Sequence, residues 1–428
     1  MRHKTPPPSA ATTTAALTHD VPASPSAQLR DSLSSHLRAR LRRRSPLLHH
    51  LNADTSWLLQ IPLPAVAARR RTRGARRSGG SVASNAAAGG RGTARAYYNI
   101  LIDPWLKGGQ SDVAWWFSQQ WHVEESAVRS VGEVEEVIGR VEAMVGEAAE
   151  EDGSEDETHD EGGGRRTRRG RIDAVAVSHE FTDHCHKDTL LEVDGDVPVF
   201  ATEKAAVLIS AWDHFRHVIT IPHFTSGTSD WRALSLPPLP SWLSISRVVS
   251  ASHDALHYHS ALLIAFNTRS SPDDPASTDD DDENTPATAL VYTPHGLPSS
   301  PETLAPLLTA SPPLAFLAFL HGLHDVSLPA QQLNLGARNG LAAQRALRAR
   351  YWIGTHDEVK KGGGLVSWFL RRAKETVGEA RRALEVGARM GIGGWKGGGV
   401  VDAEAGANGE GEEECVELGN GESLVLEW

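Results

Sequence analysis

Between residues 171 and 222 the chain alternates short apolar runs with a longer amphipathic run. RIDAVAVS (171–178), VPVFAT (197–202) and HVITIP (217–222) have the length and the β-branched residues of buried strands. EKAAVLISAWDHF (203–215) lies between the last two runs and predicts a helix. Strands that alternate with helices form a parallel or mixed sheet with helices packed on it, so the sequence predicts an α/β fold.

Further apolar runs of strand length occur along most of the chain, and several of them end at a proline, a glycine or a polar segment. We predict that they add strands to the same architecture. These runs are LNADTSWLLQIPL (51–63), which predicts the first ordered strand, AYYNILIDPWL (96–106), LSISRVVSAS (243–252), SALLIAFN (260–267), TALVYTPHG (288–296) and RYWIGTHDE (350–358), a junction between a strand and a loop.

Helical periodicity appears in three other segments. Residues 128–148 carry valines and isoleucines at helical spacing, and ARNGLAAQRALRAR (337–350) is typical of a helix. An apolar stripe on a later helix is predicted from the spacing of Leu365, Phe369, Ala373 and Val377. Near the C-terminus, Asn420-Gly421 separates two short apolar runs and predicts a hairpin turn.

Low-complexity segments divide the chain into folded and unfolded parts. Runs of Arg/Gly, Asp/Glu or Pro/Ser/Ala cannot bury enough apolar surface to offset the entropy of ordering them. Much of the acidic charge behind the net charge of −11 lies in such runs, so this charge describes loops and not a substrate site. We predict a disordered N-terminal arm (1–45), one α/β domain (46–391) with insertions at about 66–95, 149–170 and 270–287, a disordered acidic Gly-rich segment (392–414) and a C-terminal hairpin (415–428) that belongs to the domain.

Several classes of partner and compartment are disfavoured by the sequence. No apolar run approaches the ~20 residues of a membrane helix, and two cysteines give no disulfide framework. A reducing, cytoplasmic location is expected, with a mitochondrial location as the alternative suggested by the Arg-rich N-terminal arm. The Arg-rich stretches at 69–77 and 164–171 lie in low-complexity sequence without interleaved aromatics, so nucleic-acid binding is not expected. The oligomeric state is left open.

Histidines follow the ends of the predicted strands, and the densest cluster is SHEFTDHCHKDT (178–189). Side chains at the carboxyl ends of strands can converge on one edge of a sheet. Each histidine by itself is more often a surface or core residue than a ligand. The histidines in this register are His179, His184 and His186 after 171–178, His253, His257 and His259 after 243–252, His295 at the end of LVYTPHG and His356 at the end of YWIGTH.

Imidazole and carboxylate side chains suit zinc and similar cations. A centre with three or four protein ligands and an open position lowers the pKa of bound water to about 7, and the resulting nucleophile attacks an ester, lactone, amide or phosphodiester. Asp183 can bind such a metal and orient the water, while the adjacent His184 is a second ligand. We predict at most one ligand among His253, His257 and His259.

Four nearby residues have simpler interpretations. Thr355 and Glu358 have the spacing of a capping box, so Thr355 is as well suited to cap a helix as to contact a substrate. Cys185 could be a soft ligand, but we expect it to point into the core. Asp103 is suited to stabilising the turn in IDPWL.

Four stretches, in order, resemble the metallo-β-lactamase superfamily, and most nearly its lactonase- and phospholipase-like zinc hydrolases. They are NILIDPWL, VSHEFTDHCHKDTL in the place of a His-x-His-x-Asp-His signature, LVYTPHG and RYWIGTHDE. The resemblance covers most of 46–391 outside the insertions. It implies an αββα sandwich of two mixed sheets with helices outside and one or two zinc ions at one edge, with iron or manganese as alternatives.

The resemblance also implies ligands position by position. His179, Asp183 and His184 match the first, third and fourth signature positions, and His356 matches the last histidine. His257 or His259 matches the middle histidine, and the spacing does not choose between them.

Two positions depart from the usual signature. Phe181 stands in place of the second histidine, and His295 stands in place of the bridging carboxylate. His186 can compensate, since DHCHKDTL is similar to a variant pattern, Asp-His-x-His-x-x-Thr-Leu, of a plant and bacterial branch. The Tyr-x-Pro-His-Gly run around His295 is similar to the same branch.

Three functions are compatible with these residues. The first is a metal-dependent hydrolase in which metal-activated water, oriented by Asp183, attacks a small ester, lactone or phosphodiester. The second is a non-catalytic binding protein that keeps the fold with a degenerate metal site. The third, ranked last, is a nuclease that processes RNA or DNA.

Overall fold

The structure is a computed structural model, and the residues described below cover most of the predicted domain. The predicted arm, the three insertions, the acidic segment and His253 and His257 lie wholly or almost wholly outside these residues, so these predictions remain predictions. The described residues are 44–64, 95–112, 114–150, 170–227, 230–250, 258–268, 286–329, 331–390 and 414–428.

The described residues form a mixed α/β fold with several sheets and few helices. Continuously buried runs of β-branched and aliphatic residues form most strands of the two large sheets. In chain order the strands are β1 (Leu47–His50), β2 (Trp57–Pro62), β3 (Tyr97–Ile102), β4 (Gly109–Gln110), β5 (Gln119–Trp121), β6 (Ala174–Val177), β7 (Val199–Ala201), β8 (Val218–Thr220), β9 (Leu243–Val249), β10 (Ser260–Phe266), β11 (Ala287–Thr293), β12 (Leu314–His321), β13 (His324–Leu328), β14 (Gln331–Asn334), β15 (Tyr351–Ile353), β16 (Lys361–Gly363), β17 (Arg371–Lys374), β18 (Glu414–Val416) and β19 (Ser423–Val425).

Two large sheets carry most of these strands. The first sheet has the order β19-β1-β2-β3-β6-β7-β8, and the second has the order β18-β15-β12-β11-β10-β9. Strands β3, β6, β7 and β8 run parallel to one another, as do β11, β12, β15 and β18. Two small sheets, β14-β13-β17 and β16-β5-β4, lie outside them.

Helices occupy several of the connections between strands. The segments 128–148, 203–215 and 337–350 were predicted as helices, and a helix lies within or across each of them. The α-helices are α1 (Val131–Glu150), α2 (Lys187–Leu190), α3 (Glu203–Ser210), α4 (Pro301–Leu308), α5 (Ala337–Leu347) and α6 (Val377–Met390), and short 3-10 turns cover Trp231–Leu234 and Val366–Trp368. None of the helices in the described part combines the length and apolarity that a membrane crossing requires.

The apolar core lies in three layers. A central cluster joins inward side chains of both large sheets, among them Trp57 and Ile100 from the first and Ile264 and Leu320 from the second. Alternate residues of the first sheet, such as Leu58, pack instead against α1 and α3. The other face of the second sheet packs against α4 and α5. Each large sheet is therefore covered on both faces, as its continuous apolar runs require.

The predicted C-terminal hairpin is wrong. Strands β18 and β19 do not pair with each other: β18 pairs with β15 at the edge of the second sheet, and β19 pairs with β1 at the edge of the first. Gly421 has a φ of +86° and turns the chain between them. The turn residues were interpreted correctly, but long-range edge pairing chose different partners for the two strands.

The apolar stripe predicted on one helix through Leu365, Phe369, Ala373 and Val377 is also wrong. Leu365 and Phe369 flank a 3-10 turn and are exposed, Ala373 lies in β17 and Val377 begins α6. Pairing of β17 with β13 interrupts the helical spacing. The elements that were not predicted are the strands β1, β4, β5, β12, β13, β14, β16 and β17 and the helices α2 and α4.

Gly340 offers a test of the packing between α5 and the second sheet. A Cβ at this position would lie 2.5 Å from the Trp352 ring and 2.9 Å from Nδ1 of His321, both buried. We expect Gly340→Ala to lower the free energy of unfolding by about 1–3 kcal/mol through overpacking. Urea denaturation would measure it.

Gly378 is the matched control, since it lies in the first turn of α6 and a Cβ added there would have no atom within 4 Å. Gly378→Ala should leave the stability unchanged or raise it by up to about 1 kcal/mol, because alanine restricts the unfolded chain. Equal effects of the two substitutions would contradict the close approach at Gly340.

Candidate metal centre

Polar side chains gather where strands of both large sheets end. Asp103 follows β3, His179 follows β6, His295 follows β11 and His356 follows β15. These strands are parallel to a neighbour in their sheets, so their carboxyl ends bring the following loops to a common edge. Asp54 joins them from the β1–β2 loop, a segment that was predicted as strand and in which Asn52 bonds the Asp54 and Ser56 amides.

Two groups of side chains in the described part have ligand atoms within 4.8 Å of one another. We call His179, His184 and His295 the histidine group. We call Asp183, His184 and His356 the aspartate group. All five residues are buried, and His184 belongs to both groups. The structure therefore brings together five of the eight predicted ligands, from three loops.

His184 lies at the centre of the cluster and is fully buried. Its Nδ1 is 2.8 Å from Oδ2 of Asp103, which holds the imidazole in one orientation. Its Nε2 is 3.1 Å from Nε2 of His295 and 3.7 Å from Oδ1 of Asp183. Nδ1 of His184 is thus held by Asp103, and Nε2 faces the other members of both groups.

The Asp103 carboxylate accepts four hydrogen bonds in a fully buried position. Besides His184, the donors are the amide of Ser178 at 2.7 Å, the Ser178 hydroxyl and the Tyr292 hydroxyl at 2.8 Å. Asp103 has a φ of +42°, a conformation that aspartate tolerates better than most residues. The residue predicted to stabilise a turn is therefore the principal support of His184.

His295 is held in the same manner. Its Nδ1 is 2.9 Å from Oδ1 of Asn334, so Nδ1–H donates and Nε2 is left toward His184. The next residue, Gly296, has a φ of +91°, and a Cβ there would come within 2.6 Å of Leu335. Only glycine satisfies both conditions, and the turn it makes points His295 at the cluster.

His179 and Phe181 form one wall. Nδ1 of His179 is 2.9 Å from the Ser178 hydroxyl, and Nε2 is 3.1 Å from the carbonyl oxygen of Tyr258. Phe181 stacks on the Tyr258 ring at 4.9 Å and lies edge-on to His295 at 6.2 Å. The residue in the place of the second signature histidine therefore packs against the cluster and provides no ligand.

His356 completes the aspartate group. Its Nδ1 donates to Oδ1 of Asp54 at 3.0 Å, and its Nε2 is 3.8 Å from Oδ2 of Asp183. His356 has a φ of +60°, so the chain turns sharply after β15 to present this ring. The backbone amide of His356 also donates to the Asp54 carbonyl at 2.9 Å, which ties the two loops together.

A lysine that the sequence analysis missed enters the same space. Nζ of Lys360 is 2.7 Å from Oδ2 of Asp54, 2.8 Å from Oδ2 of Asp183 and 3.4 Å from Nδ1 of His356. Its side chain is only 6% exposed, and Nζ lies 5.4 Å from the centre of the Trp105 ring. Lys360 is thus a buried cation bound by two buried carboxylates.

These contacts set the charge state of the cluster. Burial lowers the pKa of His179 and His295 well below the usual value, so both imidazoles are neutral, the form that binds metals. Burial opposes charge on His184 too, but the carboxylates of Asp183 and Asp103 outweigh it and raise that pKa. A cation at the cluster would take the place of this proton.

The two carboxylates beside Lys360 are ionised. Burial alone would raise the pKa of both Asp183 and Asp54. The positive charge of Lys360 outweighs burial and holds the pKa of both carboxyl groups well below the usual range for aspartate. Burial likewise opposes the charge of Lys360, and Asp183 and Asp54 raise its pKa. The lysine is therefore an ammonium ion.

Three predicted ligands are not part of either group. His186 accepts a hydrogen bond from the Thr189 amide at 3.3 Å and caps α2. His259 is half-buried, and its Nδ1 donates to the carbonyl oxygen of His295 at 3.3 Å, next to the turn at Gly296. His257 lies outside the described residues.

The capping-box interpretation of Thr355 and Glu358 is wrong, because no helix begins there. Thr355 accepts from Nε1 of Trp57 at 2.9 Å and donates to the Asp54 carbonyl. Glu358 accepts from the Val123 amide at 2.7 Å and pairs with His122. Both residues instead tie the His356 loop to neighbouring loops. The prediction that Cys185 points into the core is confirmed.

The donor set fits a transition-metal ion. Each imidazole has a polar partner at Nδ1, the arrangement that orients metal-binding histidines in known centres. The 3.1 Å between the Nε2 atoms of His184 and His295 is close to the edge of about 3.3 Å between two ligand nitrogens of a tetrahedral zinc site. A set of three imidazoles favours zinc, iron or copper over magnesium or calcium, which prefer oxygen ligands.

Comparison with known proteins yields distant structural matches. No family model matches the chain, and no match to a curated protein reaches significance. Among solved structures, the chain is similar to a possible metal-dependent hydrolase from Veillonella parvula, with 9% identity, a TM-score of 0.40, and coverage of 89% of this chain and 100% of the other.

A second similar structure is the isothiocyanate hydrolase from Delia radicum gut bacteria, with 13% identity, a TM-score of 0.36, and coverage of 76% of this chain and 92% of the other. TM-scores this low do not define a fold family.

Proposed function

We propose that the protein is a metal-dependent hydrolase with the αββα sandwich of the metallo-β-lactamase superfamily. The convergence of His179, His184 and His295 within 4.8 Å, from loops after β6 and β11, carries this proposal. Three buried imidazoles that meet from loops of two different sheets, each with a polar partner at Nδ1, are the arrangement that a metal centre requires. The central core between the sheets and the outer helices supports the sandwich, and we assign 46–391 and 415–428 to one domain.

The proposed ligands are His179, His184 and His295. A metal ion held there supplies Lewis acidity and a water molecule that is acidic enough to act as a nucleophile near neutral pH. The Nδ1 partners of His184 and His295 leave the Nε2 atoms of these two rings available, and Asp103 adds negative charge behind His184. Nε2 of His179 lies 3.1 Å from the Tyr258 carbonyl oxygen, so metal binding through this nitrogen would replace that contact.

The proposed catalytic residue is Asp183. Its carboxylate is ionised, lies 3.7 Å from Nε2 of His184 and is fixed by Lys360, so Oδ1 can accept a hydrogen bond from the attacking water and orient it. His356 is a neutral neighbour whose Nε2 is 3.8 Å from the same carboxylate, and it can receive or relay a proton during the reaction.

The proposed substrate is a small molecule with an ester, lactone or phosphodiester bond. All three present an electrophilic carbon or phosphorus to water and develop negative charge on oxygen in the transition state. The buried Lys360 ammonium lies beside the same cluster and favours that developing charge electrostatically.

Metal content tests the proposal. Full-length protein prepared without chelator should contain a stoichiometric amount of zinc, iron or manganese by elemental analysis. After removal of the metal, zinc at a hundred times its Kd should restore about 2.7 kcal/mol of stability, because it binds only the folded chain.

Activity should then depend on the restored metal with ester, lactone or phosphodiester model substrates. Protein that contains only traces of every transition metal, and that zinc does not stabilise, would overturn the proposal and favour a non-catalytic binding protein.

A further inference from the structure

Lys360 lies beside two members of the aspartate group. Its Nζ bonds Oδ2 of Asp183, a member of the aspartate group, and is 3.4 Å from Nδ1 of His356, another member. It also forms an ion pair with Oδ2 of Asp54, the residue that holds His356 in place. The ammonium therefore already engages one carboxylate oxygen of the aspartate group and the carboxylate that supports His356.

We propose that Lys360 replaces the second metal ion, so that the centre binds one metal, in the histidine group. This inference rests on the proposed function and specifies its metal content. Two observations carry it: the carboxylates that Lys360 engages and the balance of charge in the cluster.

The charge balance fits a single divalent ion. Among the described residues, the charged side chains that belong to the two groups or pair with them are the carboxylates of Asp54, Asp103 and Asp183 and the ammonium of Lys360. Three negative charges and one positive charge leave −2, since histidines bind metals as neutral imidazoles. One divalent cation neutralises this buried cluster, whereas two would leave it at +2 with an ammonium among them.

Electrostatic repulsion from Lys360 also disfavours a second metal ion. A divalent ion bound by Asp183 and His356 would lie within a few ångströms of Nζ of Lys360 in a buried site, where screening by water is weak. The histidine group is the farther of the two from the lysine, since Nζ of Lys360 contacts two members of the aspartate group, Asp183 and His356, and its described side-chain contacts include no member of the histidine group. The metal should therefore select that group.

Lys360 acts in this scheme as a positioning residue. It neutralises Asp183 in the absence of a second metal and fixes Oδ2, which leaves Oδ1 toward His184. A lysine cannot exchange with solvent as a weakly bound second ion does, so the charge of the site stays constant when free metal is scarce.

Metal stoichiometry tests the inference directly. Wild-type protein, stripped and titrated with zinc, should bind one equivalent tightly, and any second equivalent at least about 100-fold more weakly. Lys360→Met has almost the same side-chain length without the charge and frees Asp54 and Asp183, so it should bind two equivalents tightly. Lys360→Arg keeps the charge and should bind one.

Lys361→Met is the matched control, because Lys361 is the exposed neighbour at the start of β16. It should bind one equivalent, as the wild type does. Thermal unfolding in parallel should show that the second equivalent stabilises Lys360→Met and not Lys361→Met, a readout independent of turnover.

Each outcome has a defined meaning. Two tight equivalents in the wild type, or one in a folded Lys360→Met, overturn the inference and leave the proposed hydrolase intact. No tight zinc in either protein overturns the proposed function and the inference with it. If Lys360→Met does not fold even with zinc, the wild-type and Lys360→Arg titrations decide between one and two ions.

Discussion

His184→Ala should bind no stoichiometric metal and should lose hydrolase activity by on the order of a thousandfold or more, since the metal would supply several kcal/mol of transition-state stabilisation. His184 is the only residue common to the two groups in the described part, so its removal takes a ligand from both. The stabilisation by zinc expected for the wild type should disappear as well. Elemental analysis, zinc-dependent unfolding and turnover would each measure this effect.

His186→Asn is the matched control for this experiment. His186 lies two residues away and caps α2 through its side chain, and asparagine is a good capping residue. The control should keep its metal and its activity. His184→Gln, which preserves a polar group opposite Asp103, covers the case in which His184→Ala does not fold. Metal retention in both His184 variants would show that the centre does not depend on this imidazole.

Asp103→Ala should lower the free energy of unfolding by about 3–5 kcal/mol, because it removes the shared acceptor of a buried network. The Ser178 amide and hydroxyl, the Tyr292 hydroxyl and Nδ1 of His184 would all lose their acceptor in a buried site. Asp103→Asn keeps the shape and should cost less, but it should weaken metal binding by about 10–100-fold, as loss of a carboxylate behind a histidine ligand does.

Asp213 provides a control for the backbone at Asp103. It also has a positive φ, of +52°, but its side chain is exposed. Asp213→Ala should therefore cost only the backbone preference, about 1 kcal/mol. Chemical denaturation of the apo proteins would compare the two. Similar losses for Asp103→Ala and Asp213→Ala would mean that the hydrogen-bond network contributes little.

The placement of the histidines was largely predictable from the sequence. His179, His184, His295 and His356 follow short apolar runs, and the carboxyl ends of parallel strands meet at one edge whatever the details of the loops. The same rule did not exclude His186 and His259, because the end of a strand determines where a residue lies but not the direction in which its side chain points. Whether each ring faces the cluster or caps a helix depends on contacts that follow from packing.

Lys360 and Asp54 were not predictable in the same way. Lys360 begins a Lys-Lys-Gly-Gly-Gly run, which is typical of a solvated loop, and Asp54 lies in a segment that was interpreted as strand. They meet across 306 positions of sequence only because β2 and β15 belong to sheets that pack face to face. The burial of a charged residue depends on an oppositely charged partner that can lie far away in the chain, so the neighbouring sequence does not predict it.

The same distance explains the errors at the C-terminus and at β17. Turn residues at Asn420-Gly421 and apolar spacing around Leu365 were local signals, and both were overridden by pairing with strands far away in the chain. Edge strands of two or three residues carry too little periodicity to reveal their partners.

The pairing of β19 with β1 has a kinetic consequence. It joins residues such as His49 and Ser423, which are 374 positions apart, so closing this edge requires a long loop to form first. Contacts of such separation slow folding and leave strand edges open in the meantime. The order of assembly should therefore place this edge among the last to close, and a chain caught before that step would expose β1 as a template for association with other chains.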